Sequence, residues 1–195
     1  MLAYARASSD VLAIFLFFAS TCPLMARDNM VVGAVRSKQA ARPAAPSALS
    51  DGIAQQLLDA HNAERARLGL KPLAWSDRLA AAARDWAEQL ARMDNLEHSE
   101  DSDRDNMGEN LWMGTKGDFT PKEMVGGFID ERRDFTPGTF PDVSLTGDWA
   151  DVGHYTQLIW PDTRQVGCAV ADNGESEVLV CRYYPAGNVE GEAVP

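Results

Sequence analysis

Three histidines, one glutamate set among apolar residues and three cysteines are the groups in this 195-residue chain that could do chemistry. His61 precedes Asn62 and Glu64-Arg65, His98 stands in Leu96-Glu97-His98-Ser99, and His154 stands in Gly153-His154-Tyr155-Thr156-Gln157. An imidazole can ligate a metal, act as a general base or serve as a buried hydrogen-bonding group. No two of these histidines lie one helical turn apart, the spacing that makes a zinc motif strong in itself. Spacing alone therefore favours hydrogen-bonded histidines, and His61, inside a helical pattern, reads as a structural one. Serine chemistry has less support. There is no Gly-x-Ser-x-Gly, and Ser99 is adjacent to His98, where two side chains seldom face each other productively. No glycine-rich phosphate loop of the usual patterns occurs.

The glutamate is Glu131. Met124, Phe128, Glu131 and Phe135 fall at i, i+4, i+7 and i+11, which places a carboxylate within an apolar helical stripe. Burying it bare is costly, so it must pair, bind a metal or titrate. The alternative is a stripe-edge residue that reaches water or pairs with Arg132 or Arg133.

The elements that position these groups follow from periodicity. Ile53, Leu57, His61 and Leu68, with Leu58 beside them, form one face of a helix that Gly69 and Pro72 end. Ser76 caps a second helix with Leu79, Ala83, Trp86, Leu90 and Met93 on its inner face. Thr120-Pro121-Lys122-Glu123 opens a third, with a cap, a proline at the first helical position and a glutamate at the third. His154 lies in a short helical segment. Two strand-like runs, Val166–Val170 and Val178–Tyr183, flank Asn173-Gly174 as a hairpin. Helices around an antiparallel sheet give an α+β class.

The net charge is −11, with 45% hydrophobic and 24% charged residues, a globular composition whose acidity argues against nucleic acid. Residues 1–26, with Arg6 ahead of the apolar run Val11–Ala19, read as a cleaved signal peptide, because the run is shorter than the roughly 20 residues that span a bilayer. The expected mature chain thus has no transmembrane segment. Residues 27–50 carry a net +3 and read as a flexible linker, which leaves one domain at 51–195 with 13 Lys+Arg, 27 Asp+Glu and a net −14.

Several segments together resemble the CAP superfamily, named for cysteine-rich secretory proteins, antigen 5 and pathogenesis-related 1 proteins. They are Ala60-His61-Asn62-Ala63-Glu64-Arg65 through Trp75, His98-Ser99, Gly108-Glu109-Asn110-Leu111, Gly153–Trp160 and Val180–Asn188, in matching order across essentially all of 51–195. The resemblance implies an α-β-α sandwich with a central antiparallel sheet between helical layers. It also implies a cleft lined by His98, Glu109, Glu131 and His154, supported by Asn110 and Gln157. In relatives the histidines can hold a divalent ion, often zinc. Here His98 and His154 are the expected ligands of a weakly bound Zn2+ or other divalent cation. The implied function is a secreted, monomeric ligand-binding or effector module for a lipid, sterol, membrane or extracellular protein, with the Phe135–Trp149 loop and its Phe140, Leu145 and Trp149 as a contact. The alternative is a metal-assisted hydrolase of an extracellular substrate, with Glu109 or Glu131 as base. The chain departs from the family pattern at Phe128, where tryptophan is common, and in the acidic insert Glu100–Asp105, read as a solvated loop.

Signal cleavage would remove Cys22 and leave Cys168 and Cys181 in an oxidising compartment. A hairpin symmetric about a loop with ends Asp172 and Glu177 sets the two cysteines opposite each other, poised for a disulfide. A tight two-residue Asn173-Gly174 turn would instead oppose Cys168 to Leu179 and leave free thiols.

Overall fold

The structure, a computed structural model, describes residues 51–195. The expected signal peptide, the linker and Cys22 lie outside the described residues. In chain order the elements are α1 (Asp51–Arg67), β1 (Ala74–Trp75), α2 (Asp77–Met93), α3 (Asp101–Arg104), β2 (Gly108–Thr115), α4 (Pro121–Asp130), β3 (Gly138–Thr139), α5 (Gly153–Ile159), β4 (Gln165–Asp172), β5 (Ser176–Tyr184) and β6 (Ala193–Val194). Two 3-10 helices, Glu131–Asp134 and Trp149–Val152, follow α4 and precede α5.

The main sheet has the order β1-β4-β5-β2. Its three long strands are antiparallel, while the two-residue β1 runs parallel to β4 because the chain enters it from α1 rather than from a hairpin. The side-chain period of two sorts the strand residues into two cores. Ala169, Val178, Val180 and Leu111 face α2, and Val166, Cys168, Leu179, Cys181 and Tyr183 face the layer of α1, α4 and α5. This is an α-β-α sandwich. No described helix is long and apolar enough to cross a membrane.

The inner face of α2 differs from the expected stripe. Leu79, Ala83 and Leu90 are buried, but Met93 is 48% exposed, and Ala80, Ala87 and Ala91 complete the face instead. Small residues let the helix axis approach the sheet closely. At Gly167 of β4 the approach is so tight that a Cβ would collide with the backbone of Ser76 and Ala80. The caps agree with the sequence. The Ser76 hydroxyl accepts from Leu79 N, and Thr120 and Glu123 form a reciprocal capping box. The helical stripe of Met124 and Phe128 stops at Asp130, and Glu131 opens the tighter 3-10 turn that carries the chain to Phe135 and Pro137.

The hairpin adopts the symmetric register. Asp172 pairs with Glu177 and Cys168 with Cys181, and the two cysteines form a disulfide across 13 residues of sequence. The two-residue alternative does not occur.

Candidate functional site

The end of β2, the segment that enters it and the N-terminal turn of α5 enclose a cleft of about 610 Å3. His98, Glu109, His154, Asn110 and Gln157 line it, together with Trp149, Asp101 and Arg104. Glu131 sits behind His154 and is not part of the lining.

The four groups form two histidine–carboxylate pairs. His98 Nδ1 lies 2.8 Å from Glu109 Oε1, and His154 Nδ1 lies 2.5 Å from Glu131 Oε1. A carboxylate accepts only, so each Nδ1 is the donor and each Nε2 is left deprotonated when the ring is neutral. Neither Nε2 has a hydrogen-bond partner among the described residues. This is the arrangement by which a carboxylate fixes the tautomer and aim of a metal-binding imidazole.

The supports of the two carboxylates differ. Glu131 Oε2 accepts from the backbone N–H groups of His154 and Tyr155, each at 3.0 Å. The polar member of the α4 stripe is therefore held by α5, while Arg132 pairs with Glu64 and Arg133 with Asp134. Glu109 is buried on the α2 face of the sheet. It accepts from Ser99 N at 3.0 Å and Ser99 Oγ at 3.2 Å, and it pairs with Arg182 at 3.0 Å. Burial pushes the Glu109 carboxyl up, but the His98, Arg182 and Ser99 contacts outweigh it and hold the group below the usual glutamate value. Both candidate bases thus commit one oxygen to a histidine ring and the other to further donors.

Asn110 donates to the His154 carbonyl at 2.9 Å and to the Tyr183 hydroxyl at 3.1 Å. Gln157 donates to Thr163 Oγ1 at 3.3 Å and accepts from Gly187 N at 2.9 Å, which binds α5 to the C-terminal wall of the cleft. Its amide presses so closely on Gly108 that any Cβ there would overlap it. Phe128 stacks on the His154 ring at 5.2 Å between centroids.

Two expectations need adjustment, and one residue of the site had no expectation attached to it. The acidic insert is not simply a solvated loop: Asp101–Arg104 forms a helical turn, and Arg104 pairs with Asp101 and approaches Glu109 at 3.6 Å on the cleft rim. Phe140 is buried against Trp149 and Trp160, which leaves Leu145 and Trp149 as the exposed apolar residues of its loop. Arg182 was not singled out from the sequence, although a charged residue inside the apolar run Val178–Tyr183 was its signal. His61 is the structural histidine expected. Its Nδ1 bonds the Leu57 carbonyl at 2.7 Å and its Nε2 the Tyr183 hydroxyl at 2.8 Å. It lies near Cys168 and Cys181, whose sulfurs are committed to the disulfide.

A family model described as the cysteine-rich secretory protein family matches residues 58–183. The chain belongs to the CAP family. It is 40% identical over 141 residues to pathogenesis-related protein 1A of Nicotiana tabacum, covering 71% of this chain and 79% of that protein. It is 32% identical over 160 residues to GLIPR1-like protein 1 of Bos taurus, covering 75% and 64% respectively. The CAP fold is shared with the solved structure of BmVAL-1, at a TM-score of 0.64, 23% identity, and coverage of 76% of this chain and 84% of that one. It is also shared with NaASP2, described as a crystal structure with Zn2+, at a TM-score of 0.64, 22% identity, and coverage of 76% and 87%.

Proposed function

We propose that this CAP domain is a secreted ligand-binding module whose cleft holds a divalent cation, zinc in the first instance, through His98 and His154. The observation that carries the reading is the pair of imidazoles on one cleft, each with Nδ1 bonded to its own carboxylate and Nε2 free. The donor set fits a borderline cation, because neutral imidazole nitrogen suits zinc. Two protein ligands leave positions for water or a ligand oxygen, so binding is weak and reversible. The bound ion would supply a Lewis-acidic point for an oxygen of the cleft's ligand. The NaASP2 structure with Zn2+ supports the choice of metal.

The ligand class is a lipid, a sterol or an apolar face of an extracellular protein. Trp149, 45% exposed, lines the cleft, and Leu145, 68% exposed, adds an apolar side chain on the same loop. Hydrolysis has less support, since Glu109 and Glu131 already accept from their histidines and from other donors.

Zinc calorimetry of the protein at pH 7 and at pH 5 tests the site. Measurable binding at pH 7 that weakens at pH 5, as protons compete for imidazole, is expected. Absence of binding at both values rules out the cation. Mass spectrometry of what copurifies with the exported protein then tests the ligand class, and recovery of no lipid or protein above background contradicts it.

A further inference from the structure

Next to the cleft, a second cluster of charged groups joins α1 to the two segments that carry Glu131 and His154. Glu64 of α1 is 6% exposed, and its carboxylate is crowded with donors. Its Oε1 accepts from the Tyr155 hydroxyl at 2.9 Å and from Arg67 Nη2 at 2.8 Å, while Arg132 Nη1 reaches its two oxygens at 3.3 and 3.2 Å. Arg67 sits three residues along the same helix, bonds both Glu64 oxygens, and also donates from Nη2 to the Tyr155 hydroxyl at 3.3 Å, so it buttresses this cluster from α1. Arg132 and Tyr155 are different. Each is the chain neighbour of one member of the Glu131–His154 pair.

The same two segments are therefore cross-linked twice. Residues 131 and 154 bond each other behind the cleft, and residues 132 and 155 are gripped together by one buried carboxylate on α1. Without the second link, the polar hold on Glu131 would be three bonds from one carboxylate of a 3-10 turn to a seven-residue helix, beside the ring contacts Phe128–His154 and Phe135–Tyr155. Such short elements have little intrinsic stability and take their position from tertiary contacts.

We propose that Glu64 is a positioning residue for the cleft: by holding Arg132 and Tyr155, it keeps Glu131 against His154 and so keeps His154 Nε2 free and aimed. The effect on ion affinity rests on the function proposed above, whereas the effect on the His154 ring does not. The His98–Glu109 pair uses none of these residues. It is supported by Ser99 and Arg182 on the other face of the sheet and so serves as an internal reference.

The test is 15N-edited imidazole spectroscopy of the protein with a parallel zinc titration. In Glu64→Ala, His154 is expected to lose its Nδ1–H tautomer preference, with the His98 signals unchanged and zinc affinity weakened roughly tenfold. Glu64→Gln keeps an acceptor for the Tyr155 hydroxyl and is expected to restore part of the wild-type spectrum. Should Glu64→Ala not fold, Arg132→Met combined with Tyr155→Phe releases both grips and is expected to give the same His154 change. Arg133→Met, at a residue that pairs with Asp134 and not with Glu64 or Tyr155, is expected to give none. A wild-type His154 spectrum in the released variants overturns the proposal, as does an equal change at His98, which would mark general loosening. Absence of zinc binding by the wild type would refute the ion reading alone, and the tautomer readout would still decide the role of Glu64.

Discussion

Glu109 and Arg182 stand directly opposite each other across β2 and β5, and their side chains pair at 3.0 Å with almost no exposure to solvent. The same carboxylate holds His98, so this cross-strand pair couples the stability of the sheet to the geometry of the cleft. Replacing one partner of a buried pair leaves an uncompensated charge. Arg182→Met is expected to lower the unfolding free energy by about 3 kcal/mol, measured by urea denaturation with the disulfide intact. Adding Glu109→Gln to it is expected to recover part of the loss. A single-variant cost below about 1 kcal/mol would mean that Arg182 does not balance Glu109.

His61 sets a pH dependence of the fold. Desolvation by burial lowers its pKa from 6.5 to about 4, so the folded state keeps the ring neutral where the unfolded chain takes up a proton. Its contribution is fully present above pH 6.5 and is lost as pH falls from 6.5 towards 4, a change of about 3 kcal/mol for this group. The groups around it are Arg65, whose charge also opposes protonation, and the Tyr183 hydroxyl. The carboxylates Glu64 and Glu109, held below their ordinary value of 4.5, lose their contributions only at lower pH. His61→Gln is expected to be less stable than wild type at pH 7, with the gap closing by pH 4. A constant gap across that range would contradict the assignment.

The disulfide between Cys168 and Cys181 closes a short loop within a hairpin that already pairs in register. Cys168→Ser with Cys181→Ser is expected to lower stability by about 3 kcal/mol or somewhat less. The urea midpoint is the readout, and an unchanged midpoint under reducing conditions would contradict it.

Gly108 is required by the closeness of Gln157 rather than by its backbone dihedrals. Gly108→Ala is expected to cost about 1–3 kcal/mol, because the Gln157 amide is pinned by Thr163 and Gly187 and has nowhere to move. Combining it with Gln157→Ala should relieve the overlap, and a Gly108→Ala variant as stable as wild type would show that α5 yields freely.

Much of this site could be read before any coordinates. Glu131 interrupts an apolar period, which leaves open a stripe-edge residue paired with Arg132 or Arg133, and only the family resemblance set it beside His154. The hairpin's existence and both helix caps are local matters, written in Asn173-Gly174, Ser76 and Thr120–Glu123, whereas the register that opposes Cys168 to Cys181 is not the one a two-residue Asn173-Gly174 turn would give. What stayed hidden depends on β2. Gly108, Asn110, Gly114 and Thr115 blur its alternation, so no strand was expected there, and the opposition of Glu109 and Arg182 exists only once β2 pairs with β5. Glu64 was hidden for a related reason, since an α1 carboxylate reveals its partners only when α4 and α5 pack against that helix. The acidic residues of the insert are solvent-exposed, as their charge implies, but the helical turn Asp101–Arg104 and the approach of Arg104 to Glu109 had no local signal.

The central claim is that His98 and His154 together hold a divalent cation, and histidine NMR during a zinc titration tests it most directly. The account predicts that the His98 and His154 imidazole signals shift together and saturate at one equivalent. It also predicts that His61 does not respond, and that either His98→Ala or His154→Ala abolishes the response of the remaining cleft histidine. Zinc-induced shifts at neither cleft histidine, or shifts at one that survive loss of the other, would contradict it.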